Sequence, residues 1–250
     1  MDFTILTLFP ELITSFFEHG MISRGIEKGL IKGHCINIRD FSCDRHNTVD
    51  DRPYGGGSGM VMKPEPLQAA ILHAKKKTPE SQVVLMTPQG TRFSQEKAFE
   101  LASGNEGLIF VCGRYEGIDE RVYTTLIDDE ISIGDYVMTG GELASMVIID
   151  SIARLIPGVL GSCESWQSDS FTDDRLEYAQ YTRPEEFEGL KVPEVLLSGN
   201  HEKIRLWRKS SSLQRTFLKR PDLLQKGKLD VEEKKILKQW GQELENLVRE

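Results

Sequence analysis

The stretch that decides the fold is Ile-Ser-Ile-Gly-Asp-Tyr-Val-Met-Thr-Gly-Gly-Glu at residues 131–142. An apolar strand end is followed by a glycine-containing loop, and a helix is predicted to begin near Glu142. Glycines allow the backbone to approach a ligand closely. The loop has no Lys or Arg and matches neither the phosphate-binding loop nor the dinucleotide fingerprint, so it suits a flat, uncharged ring such as adenine. Taken alone, it is explained equally well as an ordinary β-to-α turn.

Two more apolar strands end in turns of the same kind. Residues 82–86 are followed by Thr-Pro-Gln-Gly at 87–90, and residues 107–112 by Gly-Arg-Tyr-Glu-Gly-Ile-Asp-Glu-Arg at 113–121. In open α/β sheets, ligands bind beyond the carboxyl ends of the strands. Three such turns together therefore predict a binding pocket.

Strands and helices alternate between residues 82 and 155, which predicts a parallel sheet with helices on its faces. The predicted strands lie at about 3–8, 35–38, 82–86, 107–112 and 126–132. The predicted helices lie at about 10–18, 21–30, 64–77, 94–102, 118–125, 141–154, 185–189, 200–219 and 231–248. Residues 42–60 are polar and glycine-rich, and a loop of that length in a compact domain is usually functional.

Composition is that of a globular protein without a membrane span: 250 residues with a net charge of −8. Four cysteines without C-x-x-C spacing are interpreted as reduced thiols of a cytoplasmic protein, and the five histidines form no metal-ligand pattern. From Lys203 to Lys228 there are nine basic residues and one acidic residue. This segment predicts a selective RNA contact, and a solvated helix face is the alternative.

Motifs spread over nearly the whole chain resemble the SPOUT methyltransferases, and among them the bacterial tRNA (guanine-N1)-methyltransferases. These motifs are G-R-Y-E-G-I-D-E-R at 113–121, S-I-G-D-Y-V-M-T-G-G-E at 132–142, A-R-L-I-P-G-V-L-G at 153–161, Y-G-G-G-S-G-M at 54–60, S-D-S-F at 168–171, Y-T-R-P at 181–184 and L-S-G-N-H at 197–201. The resemblance implies an α/β fold, a parallel sheet flanked by helices with a C-terminal trefoil knot, followed by a small all-helical domain. Nothing in periodicity or spacing indicates the knot.

The resemblance also implies a domain organisation and a function. Residues 1–160 would bind S-adenosylmethionine, 161–175 would be a flexible interdomain linker, and 176–250 would bind the anticodon arm of tRNA. The expected reaction is methyl transfer to N1 of guanosine 37 by a homodimer. Dependence on Mg²⁺ is implied as well, although the sequence has no dedicated metal-ligand cluster.

Candidate cofactor-binding residues come from the three strand-end loops. They are Thr87, Pro88, Gln89, Gly90, Gly113, Tyr115, Glu116, Gly117, Ser132, Ile133, Gly134, Tyr136, Val137, Met138, Gly140 and Gly141. The carboxylate of Glu116 would either face the sulfonium of the cofactor or hold its loop by pairing with Arg114 or Arg121.

The chemistry requires a base and a cationic donor. Guanine N1 carries a proton that must leave as N1 attacks, and negative charge then develops on O6. The family's catalytic aspartate falls on Asp169, while Asp beside Ser is also common in turns. Arg154 matches the O6 donor, and it also fits as a cation at a helix C-terminus.

Candidate RNA-binding residues are glycine-loop positions and cations of the C-terminal part. They are Gly55, Gly56, Gly57, Ser58, Gly59, Arg183, Arg208, Lys209, Arg215, Lys219 and Arg220. The chain departs from the family pattern at Ala179-Gln180, where the family often has Pro-His, so a titrating role there is in doubt. The rival interpretations are a related SPOUT enzyme acting on other RNA and a non-catalytic RNA-binding or cofactor-sensing protein.

Overall fold

A computed structural model describes residues 1–104, 106–161 and 169–249 of the chain. The chain divides into two compact units, Met1–Cys163 and Glu164–Glu250. Among the described residues, no helix is long and apolar enough to cross a membrane. The three described cysteines are free thiols.

The described part of the first unit is built on a five-stranded parallel sheet, as predicted. Its strands are β1 (Asp2–Thr7), β2 (Lys32–Asn37), β5 (Gln82–Arg92), β6 (Gly107–Cys112) and β7 (Asp129–Ser132), in the order β2-β1-β6-β5-β7. Every residue of β6 is buried, because helices cover both faces of a parallel sheet. This explains why the strand is a continuous apolar run.

Six α-helices flank the sheet in the described first unit. They are α1 (Pro10–Phe17), α2 (Gly20–Glu27), α3 (Pro64–Lys77), α4 (Gln95–Gly104), α5 (Glu120–Leu126) and α6 (Glu142–Ala153). One apolar cluster lies between the sheet and α1, α2, α4 and α6, and a second lies beneath α3 and α5. The predicted positions of all six helices are confirmed, with ends that differ by a few residues. Pro64 begins α3, as proline favours at a first helical position.

Two parts of the first unit differ from the sequence prediction. The predicted polar loop at 42–60 contains β3 (Asp50–Asp51), which pairs antiparallel with β4 (Val61–Met62). Strand β5 continues past residue 86 to Arg92, and its register with β7 shifts between Met86 and Thr91. Residues 87–90 therefore bulge from the sheet edge.

The second unit is mostly helical. Its described elements are β8 (Glu186–Phe187), β9 (Leu190–Lys191), α7 (Glu194–Leu197), α8 (His201–Lys219), α9 (Pro221–Lys226) and α10 (Val231–Arg249). The helix predicted near 185–189 is wrong, because β8 and β9 form an antiparallel hairpin there. Its two turn residues, Glu188 and Gly189, both have positive φ, as a two-residue hairpin turn requires.

Part of the predicted linker at 161–175 packs within the second unit. Arg175 forms an ion pair with Glu233, with 2.9 Å between Nε and Oε1. The amide of Leu176 donates to Thr216 Oγ1 at 2.9 Å, which attaches this segment to α8. Residues 162–168 lie outside the described residues, and the interdomain linker at 161–175 stays a prediction.

Candidate active site

A cavity of about 460 Å³ lies at the carboxyl ends of β5, β6 and β7. It is formed by the three loops that follow these strands, so three turns separated in the sequence form one site. Every predicted cofactor-binding residue except Gly90 lines it. The lining also includes residues that the prediction omitted: Leu85, Met86, Arg114, Ile118, Glu120, Tyr123, Ile131, Thr139 and Ala144.

Gly90 serves strand packing instead of lining the cavity. A Cβ atom at this position would overlap the backbone of Glu130 and lie 2.5 Å from the amide nitrogen of Ile131. The residue therefore has to be glycine because β7 passes directly against it. Its sequence position after Thr-Pro-Gln gave no sign of this contact.

Gly141 joins two of the loops through its backbone. Its amide donates to the carbonyl of Gly113 at 3.1 Å. A Cβ atom on Gly141 would lie 2.8 Å from Cys112 Cα and 2.9 Å from Met86 Cβ. The glycine thus allows the start of α6 to pack directly on β5 and β6, in addition to lining the cavity.

An ion pair between Arg114 and Glu142 holds the same two loops together. Arg114 Nε donates to Glu142 Oε2 at 3.0 Å, and a terminal guanidinium nitrogen lies 2.9 Å from the same oxygen. Glu142 is 1% exposed and also accepts from Thr7 Oγ1 at 2.6 Å. Arg114 further donates to the carbonyl of Thr139 at 3.1 Å and lies 4.4 Å from the ring centroid of Phe9. The loop at 113–121 is therefore attached to both ends of the segment 139–142.

Glu116 lines the cavity and is exposed. The sequence left open whether it pairs with Arg114 or Arg121. In the structure Arg114 pairs with Glu142, and Arg121 binds Asp119 with 2.8 Å between guanidinium and carboxylate. The Arg121 guanidinium holds the pKa of Asp119 below its usual range. Both arginines bind other carboxylates, and that Glu116 faces the cofactor stays a prediction.

The glycine loop at 55–59 lies beside the cavity. The amide of Glu116 donates to the carbonyl of Met60 at 3.0 Å, and a Cβ atom on Gly59 would collide with the Glu116 side chain. Gly59 has a φ of +83°, a conformation that glycine adopts without strain. The sequence did not indicate that this loop, predicted to bind RNA, contacts the loop at 113–117.

Arg154 and Asp169 belong to different units. Arg154 is the exposed C-terminal cap residue of α6 in the first unit. Asp169 is half-buried in the second unit, where its carbonyl accepts a bond from the amide of Thr172 at 3.4 Å. Asp169 also borders a groove of about 780 Å³ in that unit, together with Arg208 and Lys209.

The predicted RNA-binding cations differ in their surroundings. Arg208 stacks on Tyr178 with 4.9 Å to the ring centroid, whereas Arg183 and Lys219 are exposed. Arg215 is half-buried, and its Nε has no hydrogen-bond partner among the described residues.

Two other cations already bind carboxylates. Lys209 lies 2.5 Å from Asp230 and 2.7 Å from Glu232, and Arg220 lies 2.7 Å from Asp222. These partners hold the pKa of Asp230 and of Asp222 below their usual range.

Within 1–104, 106–161 and 169–249, no group of three or more His, Cys, Asp or Glu side chains could hold a metal ion.

Comparison with known proteins identifies the family of the chain. A family model described as tRNA (Guanine-1)-methyltransferase TrmD matches residues 1–226. A tRNA (guanine-N(1)-)-methyltransferase of Geotalea uraniireducens is 55% identical over 239 residues, covering 96% of this chain and 96% of its own. The enzyme of the same description from Staphylococcus carnosus is 52% identical and covers 98% of this chain and 99% of its own. The one from Desulfatibacillum aliphaticivorans is 51% identical and covers 100% of this chain and 95% of its own. The chain belongs to the tRNA (guanine-N1)-methyltransferase family.

Proposed function

We propose that the three-loop cavity binds S-adenosylmethionine and that the chain uses it to methylate N1 of guanosine 37 in tRNA. The observation that carries the proposal is the cavity itself, at the carboxyl ends of three parallel strands and bordered by uncharged, glycine-rich backbone. Its volume lies within the range of about 300–1,000 Å³ that is usual for small-molecule sites. Among its lining residues the one arginine, Arg114, is already bound to Glu142.

The cofactor fits this lining chemically. S-adenosylmethionine supplies an electrophilic methyl group and carries a positive sulfonium when bound. The lining carboxylates Glu116 and Glu120 can offset that charge. Backbone around Ile133, Gly134 and Met138 offers apolar walls and amide groups to an adenine ring. A phosphate ligand would find no free cation among the residues that line the cavity, which disfavours nucleotides.

The base and the O6 donor are assigned to Asp169 and Arg154. N1 of guanine cannot attack until its proton leaves, so a carboxylate near N1 is needed, and a guanidinium near O6 stabilises the charge that develops. An ordinary Asp has a pKa of about 3.9 and is a weak base.

The position of Arg154 supports a homodimer. Ala144, in the first turn of helix α6, lines the cavity, and Arg154 follows it by 10 residues. Arg154 therefore lies about 15 Å beyond this lining residue along the helix axis. That exceeds the reach of an arginine side chain. The outer face of α6 exposes Leu143, Val147 and Asp150 together with Arg154. A second copy packed on this face would bring its own Arg154 to the site, and the proposed active site is complete only in the dimer.

Recognition of the tRNA anticodon arm is assigned to the second unit. Arg183 and Arg208 are the best-supported phosphate contacts, because Arg183 is exposed and Arg208 stacks on an aromatic ring. Phosphate contacts of this kind position the RNA without reading its sequence. The cytoplasm is the proposed location, since tRNA is modified there. Mg²⁺, if it is used, would be held with the help of the RNA, and the trefoil knot implied by the family is retained as a prediction.

The experiment that tests the proposed function is transfer of a labelled methyl group from S-adenosylmethionine to RNA. The substrates are an unmodified tRNA transcript with guanosine 37, the same transcript with adenosine 37, and unmodified ribosomal RNA. Label should appear on the first transcript alone, as 1-methylguanosine after digestion. Transfer to ribosomal RNA would support a related SPOUT enzyme, and binding without transfer would support a non-catalytic RNA-binding protein.

A further inference from the structure

Helix α8 carries cations that are covered by carboxylates from the start of α10. Lys209 Nζ lies 2.5 Å from Asp230 Oδ2 and 2.7 Å from Glu232 Oε2. Arg205 binds Glu232 through both terminal nitrogens, at 2.6 and 2.9 Å, and Glu202 at 2.8 Å. One short acidic segment therefore neutralises two neighbouring cations of the basic helix.

This acidic segment borders the groove that contains Arg208, one of the proposed phosphate contacts. Arg205, Lys209 and Asp230 line the same groove as Asp169 and Arg208. Arg205 and Glu232 are both more than a third exposed, so solvent and a polyanion can reach the pair. Exposed ion pairs are weak, and a phosphate can therefore compete with the carboxylate for Arg205. Lys209, with 25% of its side chain exposed, borders the same groove.

The pairing is formed at neutral pH. Hydrogen bonds from Arg205 and then Lys209 lower the pKa of Glu232 to about 2. Glu232 is therefore ionised whenever the enzyme meets RNA. The family model ends at residue 226, so the carboxylates at 230 and 232 lie beyond the region that it describes.

We infer that Asp230 and Glu232 are specificity-determining residues, which occupy Arg205 and Lys209 and so limit the affinity of the second unit for RNA that is not the substrate. The inference rests on the proposed tRNA-binding function. The cations Arg208 and Arg183 remain available to a correctly placed tRNA. RNA that binds only through its phosphates has to displace carboxylates to gain two more contacts.

The test compares Glu232→Gln and the double variant Asp230→Asn/Glu232→Gln with the wild-type chain. Binding of a fluorescent single-stranded uridine homopolymer is measured by anisotropy from about 0.05 to 0.5 M salt. Each freed cation should make the slope of log K against log salt concentration steeper by about 0.7. If the new contact contributes nothing at 1 M salt, this slope makes binding roughly fourfold tighter at about 0.15 M salt. The double variant removes both carboxylates from Lys209, whereas Arg205 keeps Glu202. It should therefore bind the homopolymer at least roughly fourfold, and at most roughly fifteenfold, more tightly than the wild-type chain.

Glu243→Gln is the matched control, because it removes the same charge from the exposed surface of the same helix. It lies 11 residues beyond Glu232, about 16 Å along the helix, which exceeds the screening length of about 8 Å at physiological salt. It should leave homopolymer binding unchanged. An equal gain in Glu232→Gln and in Glu243→Gln would reduce the effect to net charge and overturn the inference.

Lys209→Met keeps the inference testable if the acidic variants lose stability. In the wild-type chain this change should leave the salt slope of homopolymer binding as it is, since Asp230 and Glu232 already occupy Lys209. In the double-variant background it should lower that slope by about 0.7. A lowered slope in the wild-type chain would show that Lys209 contacts RNA in spite of its carboxylates, and no gain in a folded double variant would show that the pairs serve only to attach α10 to α8. Either result would overturn the inference. These experiments measure RNA binding. Their failure is therefore distinguishable from a failure of methyl transfer, which would refute the proposed function instead.

Discussion

Replacing Glu142 by alanine tests whether the Arg114–Glu142 pair holds the two cofactor loops together. The change removes a carboxylate that is 1% exposed and accepts bonds from Arg114 and Thr7. Arg114 would keep its bond to the Thr139 carbonyl and its contact with the Phe9 ring. Its side chain is 19% exposed, so its charge would remain mostly buried and without a carboxylate.

Breaking a buried pair by removing one partner costs about 3–5 kcal/mol of unfolding free energy. The remaining contacts of Arg114 favour the lower limit, about 3 kcal/mol. For a unit of this size, each kcal/mol lowers Tm by about 2–4 °C, so the expected loss is roughly 6–12 °C in the transition of the first unit. Affinity for S-adenosylmethionine should fall about tenfold or more, because the loops that line the cavity are no longer fixed to each other.

The assay is scanning calorimetry of the full chain together with calorimetric titration of the cofactor. Asp119→Asn is the matched control, because it weakens a neighbouring pair in which Arg121 is 73% exposed. Exposed pairs contribute about 0–1 kcal/mol, and this variant should change Tm and cofactor affinity little. If Glu142→Ala costs no more than Asp119→Asn does, the pair does not organise the site. A hydrophobic double replacement, Arg114→Met with Glu142→Leu, should recover stability but not cofactor affinity.

Three further outcomes are expected from the same geometry. Gly113→Val should abolish cofactor binding measured by calorimetry and keep the wild-type Tm, because a Cβ atom there would lie at an ordinary 3.7 Å from Ile118. Gly141→Val should also destabilise the fold, because its side chain would collide with Cys112 and Met86. Normal cofactor affinity in folded Gly113→Val would refute the cavity assignment. Mixing Arg154→Ala chains with Gly113→Val chains should restore about one working site in each heterodimer, because the proposed dimer brings Arg154 from the partner chain, and no recovery in a verified heterodimer would contradict that arrangement. Arg208→Met should lower the slope of log K against log salt concentration for tRNA binding by up to about 0.9. Arg220→Met should lower it less, since Arg220 is bound to Asp222. Equal effects of the two variants would contradict the ranking of these cations.

Local signals in the sequence are sufficient to predict the sheet and the cavity. Buried strands such as β6 are apolar throughout because both faces of a parallel sheet are covered, and the glycine-rich turns mark their carboxyl ends. The order of strands in a parallel sheet then brings the three turns together. Most of the lining of the cavity follows from these two facts.

Contacts between distant residues could not be predicted in the same way. Arg114 and Glu142 are 28 residues apart, and nothing in the sequence indicated that they pair with each other. Gly90 resembled a cofactor-loop glycine, but close packing against β7 explains it. The hairpin at 186–191 was mistaken for a helix because its strands are two residues each, too short for an alternating pattern to appear.

The most direct test of the proposed mechanism is the single-turnover rate of methyl transfer by Asp169→Asn. Asparagine keeps the shape of the side chain and removes the base, so transfer to guanosine 37 should slow by about 10² or more, with tRNA affinity little changed and partial recovery at higher pH. Asp173→Asn removes the same charge four residues away in the same groove and should keep the wild-type rate. A near-normal rate for Asp169→Asn would contradict the assignment, and Glu116 would then be the next candidate for the base.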